Sequence, residues 1–152
     1  QRVRQVLATT EASFADCDFN NGSFRGATLT STRFAASKLT GVDFAEVHTF
    51  DIGFVDCLLV AARLPKANFR KEKLVGIDLS MADLTDCDFR DAVFTGGSLR
   101  NAQTRLTRFE GADLRGTDIS GLNVMDAKLF KKAVISQQQA AAALAAFGLI
   151  VA

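Results

Sequence analysis

The stretch Met81–Phe94, MADLTDCDFRDAVF, contains the pattern that decides the fold of this 152-residue chain. Its large apolar residues recur at every fifth position: Leu84, Phe89 and Phe94. A small residue stands two positions before each of them. Extended in both directions, the same spacing gives 24 consecutive centres, from Phe14 to Leu129. Ten centres are Phe and ten are Leu, so the period predicts one continuous apolar core.

A period of five matches neither the roughly 3.6 residues of an α-helical turn nor the alternation of a β-strand. A fixed period instead indicates a solenoid, in which every unit turns a corner so that successive centres face one core. The position two before each centre holds Ala, Cys, Gly, Ser or Thr in 18 of the 24 units. The other three positions carry nearly all the charge, together with the Gly and Asn that favour turns. Two of every five residues are therefore predicted to point inward.

Three units show the pattern most clearly: Ala82-Asp83-Leu84, Ala67-Asn68-Phe69 and Ala112-Asp113-Leu114. They resemble the A(D/N)LXX motif of the pentapeptide-repeat family. That resemblance implies an all-β solenoid, a right-handed quadrilateral β-helix with four pentapeptides per coil. Residues twenty apart would then stack on one face, and the 24 units would form about six coils.

We expect one domain in three parts: an N-terminal cap at 1–11, the β-helix at 12–131, and a C-terminal capping helix and tail at 132–152. The cap is suggested by the helix-like spacing of Val3, Val6 and Leu7. Such ends are needed because an open last coil exposes core and unpaired strand edges.

The C-terminal helix is predicted by local signals. Ser136 and Gln139 fit a capping box, the alanines that follow are strong helix formers, and Gly148 is a suitable residue to end the helix. We expect this helix to cover the last coil with three side chains: Ala140, Leu144 and Phe147.

Two positions break the pattern inside the repeats. Thr49 stands at a centre with Phe50 one place later, and the period resumes at Phe54. This favours a bulge without net insertion, the alternative being an outward Phe50. Glu72 stands where a small inward residue belongs, so its carboxylate must pair with a cation or reach solvent at a distorted coil.

The most apolar outer surface is predicted just after the first of these irregularities. We predict a protein-interaction patch here with six members: Phe50, Val55, Leu58, Val60, Pro65 and Val75. Val75 should stack one coil from Val55, and Pro65 should lie at a corner because it has no N–H to donate. Ordinary scattered surface is the alternative interpretation.

The residues offer little material for catalysis or metal binding. The sequence has one histidine, His48, and its three cysteines, Cys17, Cys57 and Cys87, all occupy small inward positions. The expected stacking places these cysteines too far apart for disulfides, so we interpret them as packed thiols. We therefore predict no catalytic residues, no cofactor site and no metal site, and a protein that is not an enzyme.

Charge and hydropathy limit the partners. A net charge of +1 and a pI near 7.9 argue against capture of nucleic acid as the main function. No run of apolar residues is long enough to span a membrane. Arg70, Arg90 and Arg108 lie near Asp88 and Glu110 on one expected face, which predicts a solvated charge ladder.

We predict a non-catalytic scaffold or protein-interaction module with an unidentified protein partner. The alternative is a DNA-mimic topoisomerase inhibitor, a role known in the family, which the near-neutral charge disfavours. We expect a monomer, with dimerisation through the C-terminal end as the alternative. The chain begins at Gln1, which suggests a processed product, and its organisation resembles small plant thylakoid-lumen members of the family. That resemblance implies the chloroplast thylakoid lumen as the compartment.

Overall fold

The computed structural model describes residues 8–152, apart from the side chains of Thr9, Thr49 and Phe50. The backbone winds into a solenoid whose strands form one seven-stranded parallel sheet. The strands are β1 (Ala8–Thr10), β2 (Ser13–Ala15), β3 (Thr28–Ala35), β4 (Thr49–Val55), β5 (Lys73–Val75), β6 (Val93–Ser98) and β7 (Asp113–Asp118). Two helices follow, α1 (Ala127–Phe130) and α2 (Gln137–Ala146).

Successive levels of the sheet are twenty residues apart, as the five-residue period predicts for four units per coil. Phe14 pairs with Phe34, Phe34 with Phe54, and Leu74 with Phe94. Strands β2 to β7 mark six levels separated by five turns. The predicted all-β solenoid with a C-terminal helix is confirmed.

Many corners are four-residue turns closed from the carbonyl of a centre to the N–H three residues later. The amide of Ala82 donates to the oxygen of Leu79 at 3.1 Å, and that of Cys87 to Leu84 at 3.0 Å. The third residue of these turns has positive φ, 58° at Met81 and 60° at Asp86, as in type II turns. The chain therefore changes direction every five residues.

The core consists of the centres and the small residues that precede them. Leu59, Leu64, Leu79 and Leu84 are fully buried, as are the small residues Ala62 and Ala82. Phenylalanines also stack in columns along the solenoid axis. Phe69 and Phe89 lie 5.0 Å apart between ring centroids, and Phe89 and Phe109 lie 5.1 Å apart, with nearly parallel planes.

The first strand extends the solenoid into the predicted N-terminal cap. Strand β1 pairs in parallel with β3, with Ala8 opposite Thr28 and Thr10 opposite Thr30. The parallel ladder is therefore already present before residue 12. The helix-like spacing of residues 1–7 lies outside the described residues.

The backbone around Thr49 and Phe50 shows a bulge without net insertion. Leu29 pairs with Phe50, an offset of 21 residues, whereas Thr32 pairs with Ile52 at an offset of 20. Phe50 thus takes the register position expected of Thr49, and the period is restored by Ile52. The direction of the Phe50 side chain lies outside the described residues.

The predicted centre at Leu129 is wrong, because Phe130 takes that place. The ring of Phe130 lies 4.9 Å from that of Phe109, and Phe130 is 9% exposed. The cause is α1, which is capped by Asp126 and adds one residue to the coil. Asp113 consequently pairs with Val134, 21 residues later, so the ladder continues past residue 131.

Helix α2 begins where the capping signals predict. The Ser136 hydroxyl accepts from the Gln139 amide at 3.0 Å, and the Gln139 side chain accepts from the Ser136 amide at 2.8 Å. Gly148 follows the helix with φ of 81°. The predicted coverage of the last coil by Phe147 is wrong, because this side chain is 62% exposed and no residue of α2 is buried.

Candidate protein-interaction surface

The acidic residues that precede the centres build the turns. The Asp83 carboxylate accepts from the Thr85 amide at 3.1 Å, and Asp78 accepts from Ser80 at 3.0 Å. These Asx turns give a physical reason for Asp or Asn at the second place of the repeat. Sequence reasoning treated these acids only as outward ladders, although the motif itself carried the signal. One oxygen of each such carboxylate is already engaged within the fold.

Val55 and Val75 form the centre of the candidate surface. They are register partners on β4 and β5, with exposed fractions of 46% and 40%. Val93 on β6 is exposed to a similar extent, one level further on and opposite Lys73 in register. The predicted stacking of Val55 with Val75 is therefore present on the outer surface of the sheet.

The other members of the predicted patch lie in different ladders. Leu58, itself exposed, belongs to the ladder that joins Lys38 to Asp78, beyond the corner that follows β4. Val60, two residues after Leu58, is half-buried. Pro65 lies in the next turn, as predicted, beside Lys66 with φ of 63°. The patch therefore wraps around successive sides of one coil, and only Val55 and Val75 share a ladder.

The predicted charge ladder is centred on Asp88. Its carboxylate pairs with Arg90 at 2.7 Å and with Arg108 of the next coil at 3.2 Å. The Arg90 hydrogen bond holds the pKa of Asp88 below its ordinary value, against the opposing effect of burial. Elsewhere Arg63 reaches Asp43 at 3.4 Å. These contacts pair two of the outer carboxylates, Asp43 and Asp88, with arginines.

Glu72 reaches solvent, which is one of the two outcomes predicted for it. Its side chain is exposed, and the ladder beside it is short, since β4 and β5 share only the register pair Val55 and Val75. A groove of about 340 Å³ opens there, and Phe54 and Phe69 are among its lining residues. A carboxylate at an inward position thus coincides with a local separation of two coils.

The cysteines pack as predicted. All three are free, and Cys57 and Cys87 are fully buried. Burial raises the pKa of the Cys87 thiol to about 12, and its Sγ donates to the Leu64 oxygen at 2.9 Å. Burial also raises the pKa of Cys57. Both thiols therefore stay protonated at neutral pH, in the form that does not act as a nucleophile.

His48 is exposed, and its backbone amide donates to the oxygen of Ala27 at 3.0 Å. Within residues 8–152, no group of three or more His, Cys, Asp or Glu side chains is arranged to hold a metal ion. Neither of the two helices in that range has the length and apolarity needed to cross a membrane.

A second concave site lies at the C-terminal end, where sequence reasoning placed a closed cap. A cavity of about 580 Å³ separates the last coil from α2. Ile119, Leu122 and Val124 line one side, and Ala142 and Ala143 line the other. The available signal was the run of alanines in α2, whose short side chains cannot fill the end of a core made of Leu and Phe.

A protein-family model described as pentapeptide repeats matches residues 10–44, 54–91, 73–103 and 98–129, with 8 copies. No curated protein sequence matches the chain. A trypsin-treated form of QnrB1, a plasmid-mediated fluoroquinolone resistance protein, has a similar structure with TM-score 0.68 and 17% identity. The match covers 93% of this chain and 69% of that one.

Two further solved structures are similar over most of the chain. Full-length QnrB1 gives TM-score 0.56 and 15% identity, covering 98% of this chain and 99% of that one. A pentapeptide repeat protein from the Arabidopsis thaliana thylakoid lumen gives TM-score 0.31 and 23% identity, covering 82% and 71%. At these identities the likeness to QnrB1 concerns the fold alone.

Proposed function

The chain belongs to the pentapeptide-repeat family, and from this premise we propose that it is a non-catalytic interaction module that docks another protein on its outer surface. The observation that carries the proposal is the exposed pair Val55 and Val75 on adjacent strands. Two stacked β-branched side chains give a partner an apolar contact on a rigid sheet. Repeat solenoids present extended surfaces of this kind.

The surroundings of the pair favour a protein partner. Leu58 extends the apolar area around the corner, while Lys73 and Asp56 provide charge beside it. An apolar centre with a charged rim is the usual composition of a protein-binding surface. We include Val60 and Pro65 as outer members of the patch, on neighbouring sides of the coil. Phe50 is left out of the docking surface, because its backbone takes the register position of a core centre.

The test compares two double variants in an affinity capture from thylakoid-lumen extract, with stromal extract as a second source. The variant Val55→Asp/Val75→Asp is expected to lose a partner that the unchanged protein enriches. Met81→Asp/Leu106→Asp is the matched control, because both residues are exposed and apolar but belong to other units. If both variants retained the same partners, the valine pair would not be the docking surface.

The same experiment tests the proposed compartment. We place the protein in the chloroplast thylakoid lumen, because a single short solenoid with an Ala-rich C-terminal helix resembles the small lumenal members of the family. A partner enriched from lumen and absent from stroma would support this location. Enrichment from stroma alone would contradict it.

The second candidate function is inhibition of a topoisomerase by DNA mimicry, which the fold likeness to the fluoroquinolone resistance protein brings to this chain. The charges argue against it. Asp43 and Asp88 are each shared between two arginines, so the outer surface lacks a continuous run of free carboxylates there. Undiminished DNA supercoiling by gyrase at high protein concentration would reject this candidate.

We propose that the chain is monomeric, with a dimer through the C-terminal end as the alternative. The alternative is supported by exposed apolar residues after α2, above all Ile150, which is 96% exposed. Light scattering coupled to size exclusion gives the mass directly. A dimer that Ile150→Asp dissociates would replace the monomer proposal.

A further inference from the structure

One side of the last coil, the unit 117–121, has no further strand stacked on it among the described residues. The direction of its amides follows from the same unit in the preceding coil. There the Leu99 amide donates to the Asp118 oxygen at 2.7 Å. The Asn101 amide donates to the Ser120 oxygen at 2.9 Å. Amides at these two places of a unit therefore point along the solenoid axis, towards its C-terminal end.

The corresponding amides of the last coil are those of Ile119 and Gly121. Within residues 8–152, neither N–H has an acceptor in the protein. Both residues line the cavity between the last coil and α2. Gly121 is exposed, and because glycine has no side chain, its accessible surface is backbone. The ladder therefore ends on this side with two N–H donors, two residues apart, beside an open space.

Helix α2 satisfies an acceptor of this edge but not its donors. In the repeats, the residue two before a centre accepts from the next coil, as the Ala82 oxygen does from the Gln103 amide at 2.9 Å. In the last coil this acceptor is Thr117, whose backbone oxygen accepts from the Gln139 side-chain amide at 2.8 Å. The side-chain oxygen of Gln139 is itself engaged by the Ser136 amide, at 2.8 Å. Gln139 thus replaces one hydrogen bond that a further coil would make, and it offers no acceptor to the two amides.

The cavity beside these donors has an apolar lining with little charge. Its walls include four apolar side chains of the last coil and of α2: Leu122, Val124, Ala142 and Ala143. Among the described residues of this lining, Asp118 is the ionisable one, and no Lys or Arg belongs to it. An acidic occupant would face a carboxylate without a counter-ion, so an uncharged one is favoured.

We infer that this edge binds an extended, uncharged peptide segment of another protein, which adds to the ladder as one more strand. Two backbone carbonyls of the segment accept from the amides of Ile119 and Gly121, which is the β-augmentation mode of peptide recognition. Donors at this spacing select a chain in β conformation, because such a chain turns every second residue to the same side. An apolar side chain of the segment packs between Leu122 and Ala143. This site is separate from the docking surface proposed on β4 and β5.

Hydrogen exchange in the free protein tests whether the edge is open. The matched controls are the amides of Leu99 and Asn101, which occupy the same two places one coil earlier and donate to protein oxygens. We expect the amides of Ile119 and Gly121 to exchange faster than these controls. Protection equal to that of the controls, at low protein concentration, would overturn the inference, because the edge would already be paired.

The binding probe is the peptide acetyl-Thr-Val-Thr-Val-Thr-amide, which is uncharged and made of residues that favour strands. When the peptide occupies about 90% of the protein, exchange at both amides should slow about tenfold, because only the free fraction exchanges. The peptide acetyl-Thr-Asp-Thr-Asp-Thr-amide should bind more weakly, since its carboxylates would lie beside Asp118. The inference is overturned if neither amide slows or if the acidic peptide binds equally well.

Two variants of α2 test the position of the peptide. Ala143→Phe fills the space beside the edge and should weaken peptide binding by about tenfold or more. Ala145→Phe is the matched control, because Ala145 is exposed on the same helix outside the cavity lining, and it should leave binding unchanged. Circular dichroism and the elution volume verify that each variant is folded. Equal affinity of the two variants would overturn the inference, and so would protection that rises with protein concentration in the absence of peptide, which would identify a second copy as the occupant.

Discussion

Asp88 shows how one residue serves both the turn and the outer charge ladder. Its Oδ1 accepts from the Arg90 amide at 3.0 Å, and Oδ2 pairs with Arg90 and Arg108. The first bond is local, whereas the pair with Arg108 joins consecutive coils. The carboxylate is therefore bonded on both oxygens, although it lies on the outer side of the core.

Replacing Asp88 separates these roles. Asp88→Asn keeps an oxygen for the turn and loses the ionic contacts, so the free energy of unfolding should fall by about 1 kcal/mol at pH 7. Asp88→Ala loses the turn bond as well and should cost about 2 kcal/mol. Urea unfolding at constant pH measures both values. Equal losses in the two variants would show that the turn bond contributes nothing.

The lowered pKa of Asp88 also determines how the contribution of its ion pairs to stability changes with pH. Since the native pKa lies below the unfolded value of about 3.9, the ionic contribution is complete above that pH and is lost as pH falls through the native pKa. The stability difference between the unchanged protein and Asp88→Asn should therefore shrink as pH falls below about 4. A difference that stayed constant to about pH 2 would contradict an ionic origin.

A comparison of two glycines separates the energetic cost of positive φ from the cost of a steric clash at an added Cβ. Gly97 and Gly26 both have φ of 70°, but a Cβ at Gly97 would collide with the carbonyl of Ile77, whereas a Cβ at Gly26 meets no atom within 4 Å. Gly26→Ala should cost about 1 kcal/mol, the strain of positive φ alone. Gly97→Ala should cost about 3 kcal/mol or more, because the coil below must also move. Thermal or urea unfolding would show the difference, and similar losses would contradict it.

At the scale of elements, the strand ladder is weakest where Glu72 replaces a small inward residue. Ala92 occupies the equivalent position one coil later, where β5 and β6 pair over all three residues of β5. The side chain of Glu72 instead reaches solvent, and the β4–β5 ladder keeps one register pair. The physical cause is that a side chain of this length does not fit the inward space that Ala92 fills one coil later, and that its polar head group cannot be buried unpaired.

Glu72→Ala should therefore stabilise the protein. The smaller side chain allows β5 to approach β4, which extends the ladder and should raise the free energy of unfolding by about 1 kcal/mol. Hydrogen exchange at the amides of Lys73 and Phe54 should slow in parallel. Glu72→Gln is the control, because it removes the charge but keeps the size and should give no gain. Stabilisation by Gln equal to that by Ala would show that charge, not packing, separates the strands.

The two helices show what a sequence can and cannot predict at this scale. The start of α2 was predictable because Ser136 and Gln139 are neighbours in sequence and make a local capping box. Helix α1 was missed because Leu129 continued the period, and the choice of Phe130 depends on stacking against Phe109, twenty-one residues away. The capping box could be predicted because it is local in sequence. Which of Leu129 and Phe130 enters the core could not, because the choice depends on packing against a residue of the preceding coil.

At the scale of the whole molecule, the repeat predicted the fold and the buried faces, because a strict period leaves one consistent way to stack the coils. The candidate surface was less predictable. The stacking of Val55 and Val75 and the corner position of Pro65 follow from the period, but the sequence analysis grouped Leu58 with the valines although it lies around a corner from them. The cavity beside α2 depends on the height at which Gln139 anchors the helix, a distance that no spacing in the sequence encodes.

Along the solenoid axis, one continuous core shows two patterns of aromatic packing, and they meet where the strand ladder is short. On the N-terminal side, aromatic rings pack in mixed stacked and edge-to-face contacts, such as Phe24 with Phe44 at 4.9 Å and Phe24 with Phe34 at 5.7 Å. On the C-terminal side, four rings form one parallel column: Phe69, Phe89, Phe109 and Phe130. Between them, β4 and β5 share a single register pair. In a solenoid each level contacts only its neighbours, so a weak level divides the cooperative unit.

We therefore predict that the N-terminal and C-terminal halves of this core open separately under native conditions. Hydrogen exchange measured in increasing denaturant should give one opening free energy for amides such as Leu39 and Phe44, and a different one for amides such as Phe89 and Leu99. Glu72→Ala should bring the two values together, because a continuous ladder couples the blocks, while Glu72→Gln should leave them apart. A single opening free energy for all four amides in the unchanged protein would contradict the division, since it would show that the core contacts across β4 and β5 couple the coils without the ladder.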